Sequence, residues 1–125
     1  MANPNLNAAT NVYAKSAFVA LSATTPTAII ANSASSGVVA LVESLIVANT
    51  DTATPVNVTV QVWDTDTVGT GNAFPVCFSV SVPAKASLVV LSKDAGVKLL
   101  ENQSLSATAS AANKLSVVAA WTEIS

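Results

Sequence analysis

The run VVALVESLIVAN at residues 38–49 constrains the fold more than any other stretch, because it is the longest β-branched and apolar run in the chain. Side chains alternate between the two faces of a strand, so both faces here would be mostly apolar. The run therefore predicts a long central strand covered on both sides, or one with a bulge near Glu43 and Ser44 at which the faces swap. Such a strand needs partners, and the rest of the chain must supply them.

Eight further segments have the composition and alternation of strands, with turn residues between them. They are residues 16–23, 28–31, 56–63, 74–82, 87–91, 97–100, 104–110 and 115–124. In the segment at 74–82, alternation predicts a core face formed by Phe74, Val76, Phe78, Val80 and Val82. Turns recur every ~8–12 residues, which is typical of a β-sandwich or jelly roll. We therefore predict an all-β fold, a single β-sandwich or jelly-roll-like domain of about eight or nine strands at residues 16–125.

Residues 1–15 are small and polar, and they are predicted to form an extended N-terminal arm. An unfolded tail is the alternative. Leu6, Val12 and Tyr13 are apolar enough for such an arm to dock on a neighbour.

Composition limits the possible partners. The chain is 51% hydrophobic and only 10% charged, with a net charge of −2 and no His. Five scattered Lys give no basic patch, so nucleic acid is not an expected partner. No window approaches the ~18–20 apolar residues of a membrane span, and the start resembles no signal peptide. The expected compartment is a cytoplasm, unless the chain leaves in a particle; low charge suits a subunit packed against neighbours.

No residue pattern announces catalysis, a cofactor or a metal. Cys77 is the only cysteine and has no His to activate it, so it is interpreted as a structural thiol. Asp64 and Asp66 resemble the start of a calcium loop, but the residues at the later ligand positions do not match that pattern. The mismatch favours a solvated hairpin over a weak cation site. Glu43 has no evident acidic partner for catalysis. An enzyme is not predicted.

Two tryptophans, Trp63 and Trp121, lie at strand ends and have two interpretations. Core or rim packing is one, and anchoring a protein interface is the other. The candidate protein contacts are therefore the arm and the tryptophans, namely Asn3, Pro4, Asn5, Leu6, Val12, Tyr13, Trp63 and Trp121.

Three stretches carry a resemblance that covers nearly the whole chain. They are MANPNLNAATNVYAKSAFVAL, ANSASSGVVALVESLIVANTDTATPVNVTVQVWD, and VSVPAKASLVVLSKDAGVKLLENQSLSATASAANKLSVVAAWTEIS. Together they resemble small virion structural proteins of tailed bacteriophages, especially phages of cyanobacteria and other marine bacteria. In size and build such proteins are similar to capsid decoration, or cement, proteins, which are β-rich and often trimeric.

The resemblance implies a non-enzymatic cement protein on the capsid surface, assembled in the host cytoplasm. It would bind the major capsid protein or another virion protein and form a homo-oligomer, with a trimer favoured. Docking by the arm through strand addition is one physical route. A tail, neck or fibre component of the virion stays open as an alternative. A carbohydrate-binding module is less favoured, because one Tyr and two Trp offer little of an aromatic platform.

Overall fold

The structure is a computed structural model that describes residues 5–125, so the predicted contacts Asn3 and Pro4 lie outside the described residues. Within that range there are nine strands and two short 3-10 turns. The strands are β1 Val12–Leu21, β2 Thr27–Asn32, β3 Val39–Asn49, β4 Val56–Trp63, β5 Ala73–Val82, β6 Ser87–Ser92, β7 Lys98–Leu99, β8 Gln103–Ala109 and β9 Leu115–Ile124. The turns are Leu6–Ala8 and Lys93–Ala95. The predicted all-β fold is confirmed.

The strands form two antiparallel sheets. Sheet A has the order β1-β9-β3-β6, with β7 beside β3, and sheet B has the order β2-β8-β4-β5. The pairs β4–β5, β3–β6, β2–β8 and β1–β9 are nested, as if one long hairpin with its tip between β4 and β5 had been rolled up. This nesting with alternating sheets defines a jelly-roll β-sandwich.

Strand β3 lies between β9 and β6 and carries the bulge that its sequence allowed. Its register with β9 shifts between Val42 and Ser44, so Glu43 is the extra residue. Before the bulge Ala40 and Val42 are buried, and after it Leu45 and Val47 are buried. The bulge therefore swaps the inward-facing set from even to odd positions, which confirms the second of the two interpretations of this run.

The core between the sheets consists mainly of Val, Leu and Ala from the inner faces. Two buried asparagines link the sheets at strand ends. The Asn32 Nδ2 at the end of β2 donates to the carbonyls of Val38 (2.7 Å) and Leu99 (3.0 Å). The Asn49 Nδ2 at the end of β3 donates to the carbonyl of Val82, at the end of β5, at 2.9 Å. Both amides are buried and hydrogen-bonded, as buried polar groups usually are.

The predicted core face of β5 is wrong for most of its residues. Val82 is fully buried, but Phe74 and Phe78 are 59% and 72% exposed, and Val76 and Val80 are 39% and 38% exposed. One reason is that β5 is the edge strand of sheet B, so one flank has no cover. The other is its broken register with β4, where shifts lie between Val58 and Val60 and between Val60 and Gln61. Because of these irregularities, alternate residues of β5 do not all point to the same face of the sheet.

Strand β1 begins earlier than predicted, at Val12 rather than at residue 16. It pairs with β9 one-to-one, from Val12 with Ile124 to Leu21 with Leu115. The chain before it is also tied to β9, because the backbone N–H groups of Thr10 and Asn11 both donate to the Ser125 carbonyl, at 2.7 and 2.9 Å. The last residues of the predicted arm are thus part of sheet A.

Candidate interaction surface

An exposed apolar row crosses the outer face of sheet A. Phe18 on β1 pairs with Val118 on β9, Val118 pairs with Ile46 on β3, and Ile46 pairs with Val89 on β6. Directly paired residues share a face of the sheet. Phe18, Val118 and Val89 are 77%, 43% and 59% exposed, whereas the alternate residues Val117 and Ala119 are buried in the core. The row therefore presents apolar side chains to solvent across the width of the sheet.

The rows on either side contain only small, uncharged residues. One consists of Ser16, Ala120, Ser44 and Ser92, and the other of Ala20, Ser116, Ala48 and Ser87. With strands ~4.8 Å apart and ~3.4 Å per residue, the three rows cover roughly 400 Å². Serine supplies five of the eight flanking residues, so the apolar part of this area is smaller than the whole. We call these three rows the sheet A face.

The sheet A face explains why the central strand is apolar on both sides. Its inward residues are covered by sheet B, as predicted, but on the outer side Leu41 and Ile46 are only half-buried. Val39, at the start of β3, is 3% exposed on that side, but the described residues place no third layer over the rest of it. The composition of β3 therefore fits a cover supplied by something other than these residues.

The predicted contact residues of the N-terminal segment are accessible where the structure describes them. Asn5 caps the turn at Leu6–Ala8, its Oδ1 accepting the Asn7 N–H at 3.0 Å. Leu6 is 45% exposed, and Val12 and Tyr13 at the start of β1 are 65% and 57% exposed. Val12 shares the outer side of β1 with Phe18, so the structure brings part of this set beside the sheet A face.

Trp63 is only 8% exposed, so most of its side chain packs against other residues of the subunit. Its indole Nε1 donates to the Ser106 Oγ at 2.8 Å. The loop after β4 is held close by, because the Ser104 Oγ donates to the Thr65 carbonyl at 2.8 Å. The hydroxyls of Ser104 and Ser106 on β8 are thus covered, and Trp63 offers little area to a partner.

Trp121 is half-buried and packs at the margin of the core. It pairs with Lys15 on one side and with Val42 on the other. Its Nε1 donates to the Glu123 carboxylate at 3.1 Å. Rim packing, one of its two interpretations, describes this placement, and part of the ring stays accessible.

The acidic loop after β4 uses its carboxylates to hold itself together. The Asp64 carboxylate accepts the backbone N–H of Asn72 at 2.7 Å and its Nδ2 at 2.9 Å, and these bonds lower the pKa of Asp64. Asp66 accepts the Ala34 N–H at 3.1 Å. Among residues 5–125 no group of three or more His, Cys, Asp or Glu has the arrangement of a metal site. The geometry is that of a braced hairpin loop.

Glu43 lies at the bulge of β3, where its carboxylate accepts a hydrogen bond from the Thr122 hydroxyl. It lines an open cavity of about 380 Å³ together with Lys93 and Lys98. The lining of this cavity thus combines one acidic and two basic side chains.

Cys77 is half-buried on the inner side of β5, opposite Val60. Burial raises the pKa of its thiol, which makes the reactive thiolate scarcer at neutral pH. Its Sγ lies 3.8 Å from the Val58 carbonyl oxygen. The environment is that of a packing residue.

The sheet A face is the feature that reasoning from the sequence missed. Its central row draws one residue from each of four strands that are far apart in the chain. A signal existed in SAFVAL and LSVVAA, where both faces of the strand would be apolar. Together with the central strand, these segments indicate a sheet with two apolar faces.

Comparison with known proteins identifies the fold. No protein-family model matches the chain, and no curated protein matches it. Among solved structures, the chain is similar to one from a study entitled "Bacillus endospore appendages form a novel family of disulfide-linked pili". The alignment covers 100% of this chain and 96% of that chain, with a TM-score of 0.54 and 14% identity. At that identity the likeness extends to the β-sandwich fold alone. In residues 5–125 no helix has the length and apolar character needed to cross a membrane.

Proposed function

We propose that this chain is a non-enzymatic structural subunit of a virus particle, a decoration (cement) protein that stabilises the head shell of a tailed bacteriophage. Its partner would be the major capsid protein, and its place the capsid surface. The sheet A face would dock on the shell, with the N-terminal segment beside it. A homo-oligomer belongs to the same proposal, and the trimer that the resemblance favours concerns subunits bound to the shell rather than the chain alone in solution.

The observation that carries the proposal is the uncharged sheet A face with its row of exposed apolar side chains. A freely diffusing subunit gains nothing from leaving Phe18 and Val89 in water, whereas a docked subunit gains about 25 cal/mol for each Å² of apolar surface that it buries. Roughly 400 Å² is below the ~800 Å² per partner of a stable binary interface. A cement protein meets this limit by binding in many copies that reinforce one another.

The test places a charge in the centre of the face. Val118→Lys puts an ammonium into the apolar row, and Ser81→Lys puts the same charge on an exposed residue of β5 in sheet B. Both proteins are checked for unchanged circular dichroism and then sedimented with purified head shells. We expect Val118→Lys to lose at least tenfold in affinity and Ser81→Lys to bind like the unchanged chain. Equal binding by both variants would remove the sheet A face from the proposal.

The proposed role of the N-terminal arm is tested by a deletion whose end point is chosen from the structure. Deleting residues 2–9 leaves β1 and the bonds of Thr10 and Asn11 to Ser125 intact. We expect the shortened chain to fold but to bind head shells more weakly. Undiminished binding would rule out the arm as a docking element.

A tail, neck or fibre component is the closest alternative, since the same face would serve there. Sedimentation with purified tails, run beside the head shells, separates the two. Binding to tails alone would move the subunit to the tail, and binding to neither would contradict a virion role.

A filament subunit is a second alternative, favoured by the fold similarity to the endospore appendage structure. A filament joined by disulfides needs each chain to bridge two neighbours, but this chain has one cysteine, which can link chains only in pairs. Filaments seen by electron microscopy in reducing buffer would therefore support a non-covalent version. A carbohydrate-binding module is tested by a glycan array, where specific binding would revive it.

A further inference from the structure

The four outer edges of the two sheets differ in how well they resist pairing with another strand. Exposed edges are normally protected by bulges, prolines, short length or charge. In sheet B, β5 contains Pro75 and two register shifts, and β2 has six residues and a shift between Ala28 and Ile30. In sheet A, β6 has six residues and a register shift against β3.

Strand β1 has one of these protections, the charge of Lys15, and lacks the others. It has ten residues, no proline and an unbroken register with β9. Its other edge is unpaired among the described residues. Lys15 is its only charged residue. Of all the edges, β1, which equals β5 in length, is the most regular template for a further strand.

The backbone groups on this edge can be identified from the pairing with β9. Asn11 and Ser125 exchange both of their hydrogen bonds, at 2.9 and 3.0 Å. In an antiparallel ladder such pairs alternate, so odd-numbered β1 residues bond to β9 and the even-numbered ones point away. The N–H and C=O groups directed at the open edge belong to Val12, Ala14, Ser16, Phe18 and Ala20.

We propose that two copies of this chain join through β1, whose open edges pair antiparallel across a two-fold axis at Ser16. Ser16 then lies opposite Ser16 of the second copy, Ala14 opposite Phe18, and Val12 opposite Ala20. The pairing forms about ten backbone hydrogen bonds, two for each such pair. It fuses the two copies of sheet A into one continuous sheet.

A second copy is the partner that this edge fits best. A two-fold contact matches the edge with a strand of equal length and the same outward set of backbone groups. Lys15 falls opposite Ala17, so the two Lys15 side chains are diagonal neighbours rather than a direct pair. Phe18 meets the small Ala14, and the two apolar rows come to the same face. The inference concerns the chain alone in solution, so it holds or fails separately from the proposed virion role.

The first test is a proline pair. Ser16→Pro removes an N–H that points to the open edge, which an edge strand tolerates, and Ala17→Pro removes one that bonds to β9. We expect the unchanged chain to have twice the 12.6 kDa of one chain by sedimentation equilibrium. Ser16→Pro should have the mass of a single chain with unchanged circular dichroism, whereas Ala17→Pro should be unfolded or strongly destabilised.

The second test is cross-linking, which remains informative even where Ser16→Pro fails to fold. In a Cys77→Ser background, Ser16→Cys places two thiols across the axis with Cα atoms ~5.5 Å apart, within disulfide range. Ser87→Cys, on the exposed opposite edge of sheet A, is the matched control. Mild oxidation should link the Ser16→Cys chains at least tenfold faster.

The outcomes separate cleanly. A monomer at millimolar concentration, a trimer, or a Ser16→Pro variant that keeps the dimer mass would overturn the proposal. Equal cross-linking of Ser16→Cys and Ser87→Cys would overturn it as well. A trimer that binds head shells would keep the virion role while removing the β1 pairing.

Discussion

Replacing Asn49 with Ala should remove one of the two buried amides that tie the sheets together. Asn49 is 3% exposed. Its Nδ2 donates to the carbonyls of Thr54 at 3.0 Å and Val82 at 2.9 Å, and its Oδ1 accepts the Asp51 N–H at 2.9 Å. At about 1 kcal/mol net for each bond, the free energy of unfolding should fall by about 3 kcal/mol.

The assay is guanidinium unfolding followed by tryptophan fluorescence. The midpoint should fall while the slope m stays constant, because the same surface is exposed on unfolding. The melting temperature should fall by roughly 10 °C, at about 3–4 °C for each kcal/mol in a domain of this size. Repeating the titration over a range of protein concentrations separates this loss from any change in self-association.

The matched control is Asn57→Ala on β4. The Asn57 Nδ2 makes one exposed hydrogen bond, to the Ser79 Oγ at 3.2 Å, so its loss should cost less than about 1 kcal/mol. If Asn49→Ala costs no more than this control, the reasoning that Asn49 links the two sheets is wrong.

Three further predictions concern single side chains. The hydrogen bond from Lys114, 2.7 Å long, lowers the pKa of Asp51 to about 2 from 3.8. The stability that the ionised Asp51 carboxylate contributes is therefore fully present above about pH 3.8, and it is lost as the pH falls through about 2. Acid titrations of the unchanged chain and Asp51→Asn should converge over that window; a constant difference would refute the linkage. Trp63→Phe deprives the buried Ser106 Oγ of its donor and should cost about 1–2 kcal/mol in guanidinium unfolding, and an unchanged midpoint would contradict this role of the indole. Cys77 should react slowly with a thiol reagent at pH 7 and fully in guanidinium, and fast labelling of the folded chain would contradict its burial.

Much of the secondary structure follows from local pattern. The alternation of VNVTVQVW predicts β4 at its observed bounds, and the apolar run at 38–49 predicts β3 and its bulge. These segments succeed because β-branched residues favour strands and because turn residues punctuate them. The regular turn spacing then leaves a β-sandwich or jelly roll as the natural architecture.

Local pattern failed where burial depends on a neighbour. Phe74 and Phe78 alternate like core residues, yet they are exposed because β5 is an edge strand with a broken register. Trp63 could have been an anchor for a partner, but it lies against Ser106 inside the subunit. The local sequence of a strand does not determine such exposure or burial, because each depends on which other strand or loop lies beside it.

The sequence by itself determined that this chain forms strands, roughly where they begin and end, and that its central strand is apolar on both faces. Only the tertiary structure decided which faces are covered. Alternation assigns residues to one side or the other, but the pairing of distant strands selects the side that meets the second sheet. The same pairing aligns Phe18, Ile46 and Val118 into one exposed row and leaves β1 as the open edge.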